Sequence, residues 1–208
     1  RMFRATSNTL ALACSGGLII TLLAMLTAYV SYRTNIKGRK IAKTISFFPV
    51  AYPTLFIGVA PIWIFSYVQI GVYGTLWALL IGVAIRYMPV GMRILSPAVT
   101  QVHAELEEAS KVCGARGWET LFRVFMLLLK PTLLYTWIYV AILSIKQFSL
   151  VVLLYTARSE VLSVLVWEHI DGGMLTYAAA TSTITIFIVG ILYVIAKRMA
   201  RVSDAATE

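Results

Sequence analysis

The sequence predicts an all-α fold, a polytopic transmembrane helix bundle with about five spanning helices. Three observations predict it. Hydrophobic residues make up 60% of the 208 residues and charged ones 13%, with a mean hydropathy of +0.83; soluble domains run at about 45–50% and about 25%. Five stretches are long and apolar enough, or nearly so, to cross about 30 Å of hydrocarbon, which takes about 20 residues. The segments between them sort basic residues to one side. A secreted mini-protein, a disordered chain and a soluble enzyme are excluded by the same composition.

The first span runs from about Thr9 to Tyr32. Its apolar stretch is longer than the roughly 7–15 residues of a signal-peptide core and lacks a clear cleavage site. The second, about Ile45 to Gln69, carries Pro49, Pro53 and Pro61, so kinks are expected. The third, about Tyr73 to Ile94, contains Arg86 and Pro89, which leave its inner end poorly defined. The fourth covers about Leu127 to Ile145 and the fifth about Leu175 to Ala196.

Five spans put the two ends on opposite sides. Fourteen of the eighteen basic residues then fall on one side: Arg33 to Lys43, Arg86 to Lys130, and Lys197 to Arg201. Arg1, Arg4, Lys146 and Arg158 hold the other. The positive-inside rule makes the richer side, with the loop after the third span and the C-terminus, cytoplasmic. The net charge of +9 is thus a matter of topology, not of nucleic-acid binding. None of the nine acidic residues lies inside a span, which disfavours a carrier driven by an ion gradient. Arg86 and Lys146 come nearest to the membrane interior, and both are read as snorkelling from helix ends.

The 96–130 loop is patterned. Ser96-Pro97 reads as a helix start, a capping hydroxyl followed by proline at the first helical position. Val99, Val102, Leu106, Ala109 and Val112 form one apolar stripe, and Gly114 ends the helix. A second stripe holds Trp118, Leu121, Phe122, Phe125, Met126 and Leu129. The expectation is a helix pair at the cytoplasmic surface, apolar underneath and charged above. It serves either as an interfacial anchor or as a docking element for a soluble partner; periodicity does not separate the two.

Glu108-Ala109-Ser110-Lys111-Val112-Cys113-Gly114-Ala115, followed by Trp118, Phe122, Val124 and Pro131, resembles the EAA loop of bacterial ABC-importer permeases. That pattern is Glu-Ala-Ala, three residues, then Gly, with a later Leu-Pro. Ser110 replaces the third small residue, and Met126-Leu127 stands where Leu-Pro is usual. The resemblance covers nearly the whole chain. Asn8-Thr9-Leu10 is similar to the entry to the permease core. Tyr73 to Trp77, Arg86 to Pro89, Leu154 to Thr156 and Glu160 to Leu165 are similar to segments of the ferric-iron-type subgroup.

The resemblance implies a non-enzymatic permease of the bacterial inner membrane, forming half of a translocation path. Residues 1–208 would be one transmembrane domain, and a C-terminal half of a longer fused permease is one reading of it. The implied partners are a cytoplasmic ATPase dimer, a second permease half, a periplasmic or lipid-anchored substrate-binding protein and the bilayer. Glu107, Glu108, Ala109, Ser110, Gly114 and Ala115 would couple to the ATPase, with both glutamates facing it. Ferric iron is the implied cargo, with thiamine, phosphonate, sulfate and polyamine open beside it. A secondary carrier or channel is the rival of another class.

No cofactor, metal site or catalytic residue is expected. Cys14 and Cys113 sit in no Cys/His pattern. Glu160, Glu168, His169 and Asp171 hold groups that ligate iron, yet they read first as a solvated loop. Ser15 with His103 or His169 fails as a protease pair, because the histidines fall in loops on opposite sides.

Overall fold

The computed structural model describes residues 1–67 and 71–205; the expected end of the second span, Gln69, lies outside them. Helix α1 (Met2–Arg33) is the backbone of the bundle and packs along both α4 (Leu76–Gln101) and α8 (Lys130–Ile145). Between α1 and α4 come α2 (Arg39–Phe47), a short 3₁₀ turn at Phe48–Ala51, and α3 (Thr54–Tyr67). Between α4 and α8 lie α5 (Ala104–Val112), α6 (Gly117–Thr120), a π turn at Leu121–Phe125 and α7 (Met126–Leu128). After α8, α9 (Val151–Leu154) and α10 (Leu162–Asp171) lead into α11 (Leu175–Ala205), which packs on α8 and α10.

Among the described residues three helices, α1, α4 and α11, are each long and apolar enough to cross a membrane alone; counting each of two bent pairs as one span gives five. The bends follow from proline. Arg39–Ala51 meets Thr54–Phe65 at 110°, and Tyr52 between them is extended (φ −112°, ψ 140°), because the ring of Pro53 disfavours helical angles in the residue before it. Gly117–Leu128 meets Lys130–Ile145 at 77°, at Leu129 and just before Pro131, which has no N–H to continue the ladder.

Lipid offers apolar side chains no advantage in burying themselves against one another, so close backbone approach must hold the helices together. Glycine provides it. A Cβ on Gly91 would lie 2.8 Å from Ala24 Cβ, and one on Gly17 would lie 2.8 Å from the Trp137 carbonyl oxygen. These two residues set the spacing of α4 and α8 from α1. The bundle has two main apolar cores. Leu12, Ile20, Leu79, Val83, Leu150 and Leu154 fill one end, while Met25, Tyr29, Met92, Leu95, Leu121 and Phe125 fill the end that carries α5–α7.

Two expectations fail here. Ser96-Pro97 starts no helix: α4 runs through both prolines to Gln101, and the patterned loop begins at Val102 rather than 96. Within a packed span a proline only frees one carbonyl, and neighbours tolerate that. The actual stop is an extended step at Val102 and His103 (ψ 127° and 137°). Arg33, in the last turn of α1, meets the carbonyls this stop leaves behind. Its guanidinium donates to Val99 O at 2.8 Å, Thr100 O at 3.1 Å and Val102 O, so a cation sits at the negative end of the α4 dipole. The second failure concerns Arg86. It is eleventh of 26 residues in α4 and is not near a helix end.

Candidate functional site

The loop forms a compact knuckle at one end of the bundle. Tyr29 of α1 packs edge-on to Phe125, with ring centroids 5.0 Å apart, and donates from its hydroxyl to Gly117 O at 3.2 Å. The second stripe therefore splits. Leu121, Phe125 and Leu129 are buried, while Trp118 and Phe122 are more than half exposed. Arg116 N donates to Glu119 Oε2 at 2.8 Å and starts α6.

Helix α5 is held to this base by few contacts. Ser110 Oγ lies 3.0 Å from Thr120 Oγ1, the hydroxyl pair that ties the two limbs of the loop. Gly114 adopts φ +82° with open space around it, the left-handed turn that glycine takes at no steric cost. Ala115 follows, half-buried, and its N–H closes the turn on Ser110 O at 3.1 Å.

The polarity of α5 reverses the sequence expectation. Leu106 is 44% exposed and Val112 88%, and Ala109 is exposed as well. Glu107 is buried at 8% and pairs with Lys111, whose Nζ lies 2.9 Å from Glu107 Oε1. This hydrogen bond, with the attraction of the carboxylate, holds the Lys111 ammonium above the ordinary lysine range. The extended step at Val102–His103 lets α5 start at a new angle, so its stripe faces outward rather than under the bundle. Glu107 is thus paired within α5, and of the two predicted glutamates only Glu108, beside Ala109, is exposed.

At the opposite end the charged groups serve the fold. Arg1 reaches both Glu160, only 1% exposed, and Glu168 at 2.6 Å. Tyr155 donates from its hydroxyl to Glu168 Oε1 at 3.2 Å. Burial first, and then the negative charge of Glu168, pushes the Tyr155 phenol up. His169 Nδ1 lies 3.3 Å from Thr181 Oγ1. Among the described residues no three His, Cys, Asp or Glu side chains come together as a metal site. His103 and His169 lie at opposite ends of the bundle, and Ser15 donates to Ala11 O within its own helix.

Sequence reasoning missed one set of contacts. Asn8 Nδ2 donates to Arg158 O at 3.2 Å and Glu160 O at 2.9 Å, and Thr9 Oγ1 accepts from Leu162 N at 2.8 Å. Asn8-Thr9 stands out in the sequence only as a family segment. The structure gives it the task of holding the start of α10 to α1.

Comparison with known proteins places this geometry. A family profile described as "Binding-protein-dependent transport system inner membrane component" matches residues 20–208. The ferric transport system permease protein FbpB of Actinobacillus pleuropneumoniae is 26% identical over 181 residues, covering 87% of this chain and 26% of that protein. The alpha-glucoside transport system permease protein AglF of Rhizobium meliloti is 28% identical over 179 residues, covering 72% and 53%. The chain thus spans about a quarter to about half the length of these curated relatives. In fold it is similar to a chain of a bacterial alginate ABC transporter solved with an alginate-bound periplasmic protein. The TM-score there is 0.75 at 18% identity, over 96% of this chain and 78% of that one. A chain of the MetNI methionine ABC transporter, seen in inward-facing conformations, aligns with a TM-score of 0.67 at 18% identity over 97% and 95%.

Proposed function

The chain belongs to the family of binding-protein-dependent transport system inner membrane components, and on that premise we propose that it forms half of the translocation path of an ATP-driven importer. It is a multi-pass membrane component. Its 102–129 loop lies on the cytoplasmic side, takes up the motion of a separate ATPase dimer and passes it to the bundle. A second permease half completes the path, and a substrate-binding protein delivers cargo at the opposite end. The carrier and channel readings fall with the family assignment.

The observation that carries this reading is the outward apolar stripe of α5, with Leu106, Ala109 and Val112 on a helix tied to its base through a hydroxyl pair and a glycine turn. A folded chain gains nothing from presenting that stripe to water; a partner groove would cover it. Glu108, Ala109 and Ser110 line the approach, and Gly114 with Ala115 sets the angle at which α5 is offered. Glu107 acts from within, by fixing Lys111.

Ferric iron is the cargo class that the Tyr73–Trp77, Arg86–Pro89 and Leu154–Thr156 segments favour, as does the relative from Actinobacillus. The test of the coupling role is co-purification with the candidate ATPase, comparing the unaltered chain with a Glu108→Lys, Gly114→Val double variant. Retention by the first and loss by the second is expected. A well-folded chain that fails to hold the ATPase even with its second half present overturns the reading.

A further inference from the structure

One feature of α4 finds no role in coupling. Arg86 lies about 15 Å from one end of the helix and about 22 Å from the other, at 1.5 Å per residue, well inside the apolar stretch of α4. Gly91 faces α1, against Ala24 and Ile20. Five residues of helix rotate the chain by about 140°, so Arg86 projects from the face turned away from α1. Arg93, seven residues on, returns to nearly the same direction about 10 Å further along.

Both arginines line one small cavity, about 200 Å³, with Val50, Tyr87, Pro89 and Val90. None of its other members answers their charge. The Tyr87 hydroxyl is engaged with Leu143 O at 3.0 Å and Gln147 Oε1 at 2.7 Å. Arg86 Nε is buried without a hydrogen-bond partner. Neither guanidinium has a hydrogen-bond or ion-pair partner among the described residues, and residues 2–33, 39–65, 76–101, 130–145 and 175–198 contain no Asp or Glu. An uncompensated guanidinium at membrane depth is costly, and such residues mark substrate pathways. The planar fork of arginine matches an oxyanion, which accepts two hydrogen bonds at once.

We propose that Arg86 and Arg93 form an anion-binding site on the cargo route, so that the species carried past α4 is an anion. The proposal rests on the importer reading and narrows its cargo class to an oxyanion or, for ferric iron, a chelate of net negative charge. A bare trivalent cation would meet two positive charges and no ligand oxygen from a carboxylate.

The test uses the chain assembled with its ATPase and second half in nanodiscs. Sodium sulfate, 2-aminoethylphosphonate and ferric citrate are titrated against sodium chloride at equal ionic strength. Binding is read by calorimetry and by the shift in melting temperature. At least one of the three is expected to bind, Arg86→Gln and Arg93→Gln to weaken that binding tenfold or more, and Arg86→Lys to keep part of it. Basal ATP hydrolysis is measured on the same samples, so that loss of the assembled ATPase is told apart from loss of anion binding.

Three results overturn the proposal: no binding by any of the three anions, undiminished binding by Arg86→Gln, or loss of the second half from Arg86→Gln, which would mean that the arginine pairs with a carboxylate there. If the unaltered chain never holds the ATPase, the importer reading fails instead, and the anion titration of the chain alone still reports on the arginines.

Discussion

At the scale of single residues, Gly114 separates conformation from space. Its φ of +82° is left-handed, yet nothing lies within 4 Å of where a Cβ would sit. A substitution is therefore opposed by the backbone itself and not by a neighbour. Valine there costs about 1–2 kcal/mol and asparagine less, because a short polar side chain tolerates this region. Gly114→Val should melt close to the unaltered assembly and hydrolyse ATP without moving cargo, whereas Gly114→Asn should transport at near the normal rate. Transport by the valine variant at that rate would contradict a coupling role for the turn. Tyr155 gives a second prediction. Its phenol is raised by burial and by Glu168, so its contact is fully stabilising below the unfolded value of about 10. That stability is lost as pH climbs through the higher folded value. The melting temperature should fall from about pH 10 upward, and fall less steeply in Tyr155→Phe. Lys111, raised in the same direction, contributes equally to both proteins and leaves the difference between them intact.

At the scale of elements, the end of α4 and the face of α5 decide how motion could pass from loop to bundle. Arg33 joins α1 to the last carbonyls of α4, and hydrogen bonds to a charged group are worth about 1.5–3 kcal/mol each. Arg33→Met should lower the melting temperature and speed amide exchange around Val102 to Leu106. Leu106→Asp should leave that temperature unchanged, since the side chain is already 44% exposed, and yet release the ATPase. If Leu106→Asp unfolds the chain, the stripe is part of the core after all. These two elements also show where the sequence was legible. The first, third and fifth spans were, because an apolar run of sufficient length has few other uses, while the second and fourth are bent pairs. The start of α5 was not: Ser96-Pro97 has the chemistry of a helix cap, and only the packing of α4 against α1 carries the helix through it. The direction of the α5 stripe was equally hidden, because a period of three and four residues reveals an apolar face without revealing what it meets. The tie from Asn8 and Thr9 to the start of α10 joins residues about 150 positions apart, and no local spacing reports it.

At the scale of the whole molecule, the charge distribution and the fold agree on one axis. Arg33 and the α5–α7 knuckle occupy one end of the bundle, and Arg1, Glu160 and Glu168 occupy the other. The proposed importer reading puts the knuckle in the cytoplasm, as the positive-inside rule expects, and the two native cysteines test that proposal without any engineered label. Cys113 is exposed beside Gly114, whereas Cys14 is exposed on the outside of α1 within its apolar stretch. A charged, membrane-impermeant reagent stays in water and does not enter hydrocarbon, where an unpaired ion is costly to desolvate. A membrane-impermeant maleimide should therefore modify Cys113 in inverted vesicles and not in right-side-out ones. Cys113→Ser should abolish the signal and Cys14→Ser should leave it unchanged. Because Cys113 directly follows the last residue of α5, added ATPase should slow its labelling several-fold in the inverted vesicles. Labelling from the other face would reverse the topology and remove the docking role with it. Labelling from the expected face with no protection by the ATPase would keep the topology and place the docking contact away from α5.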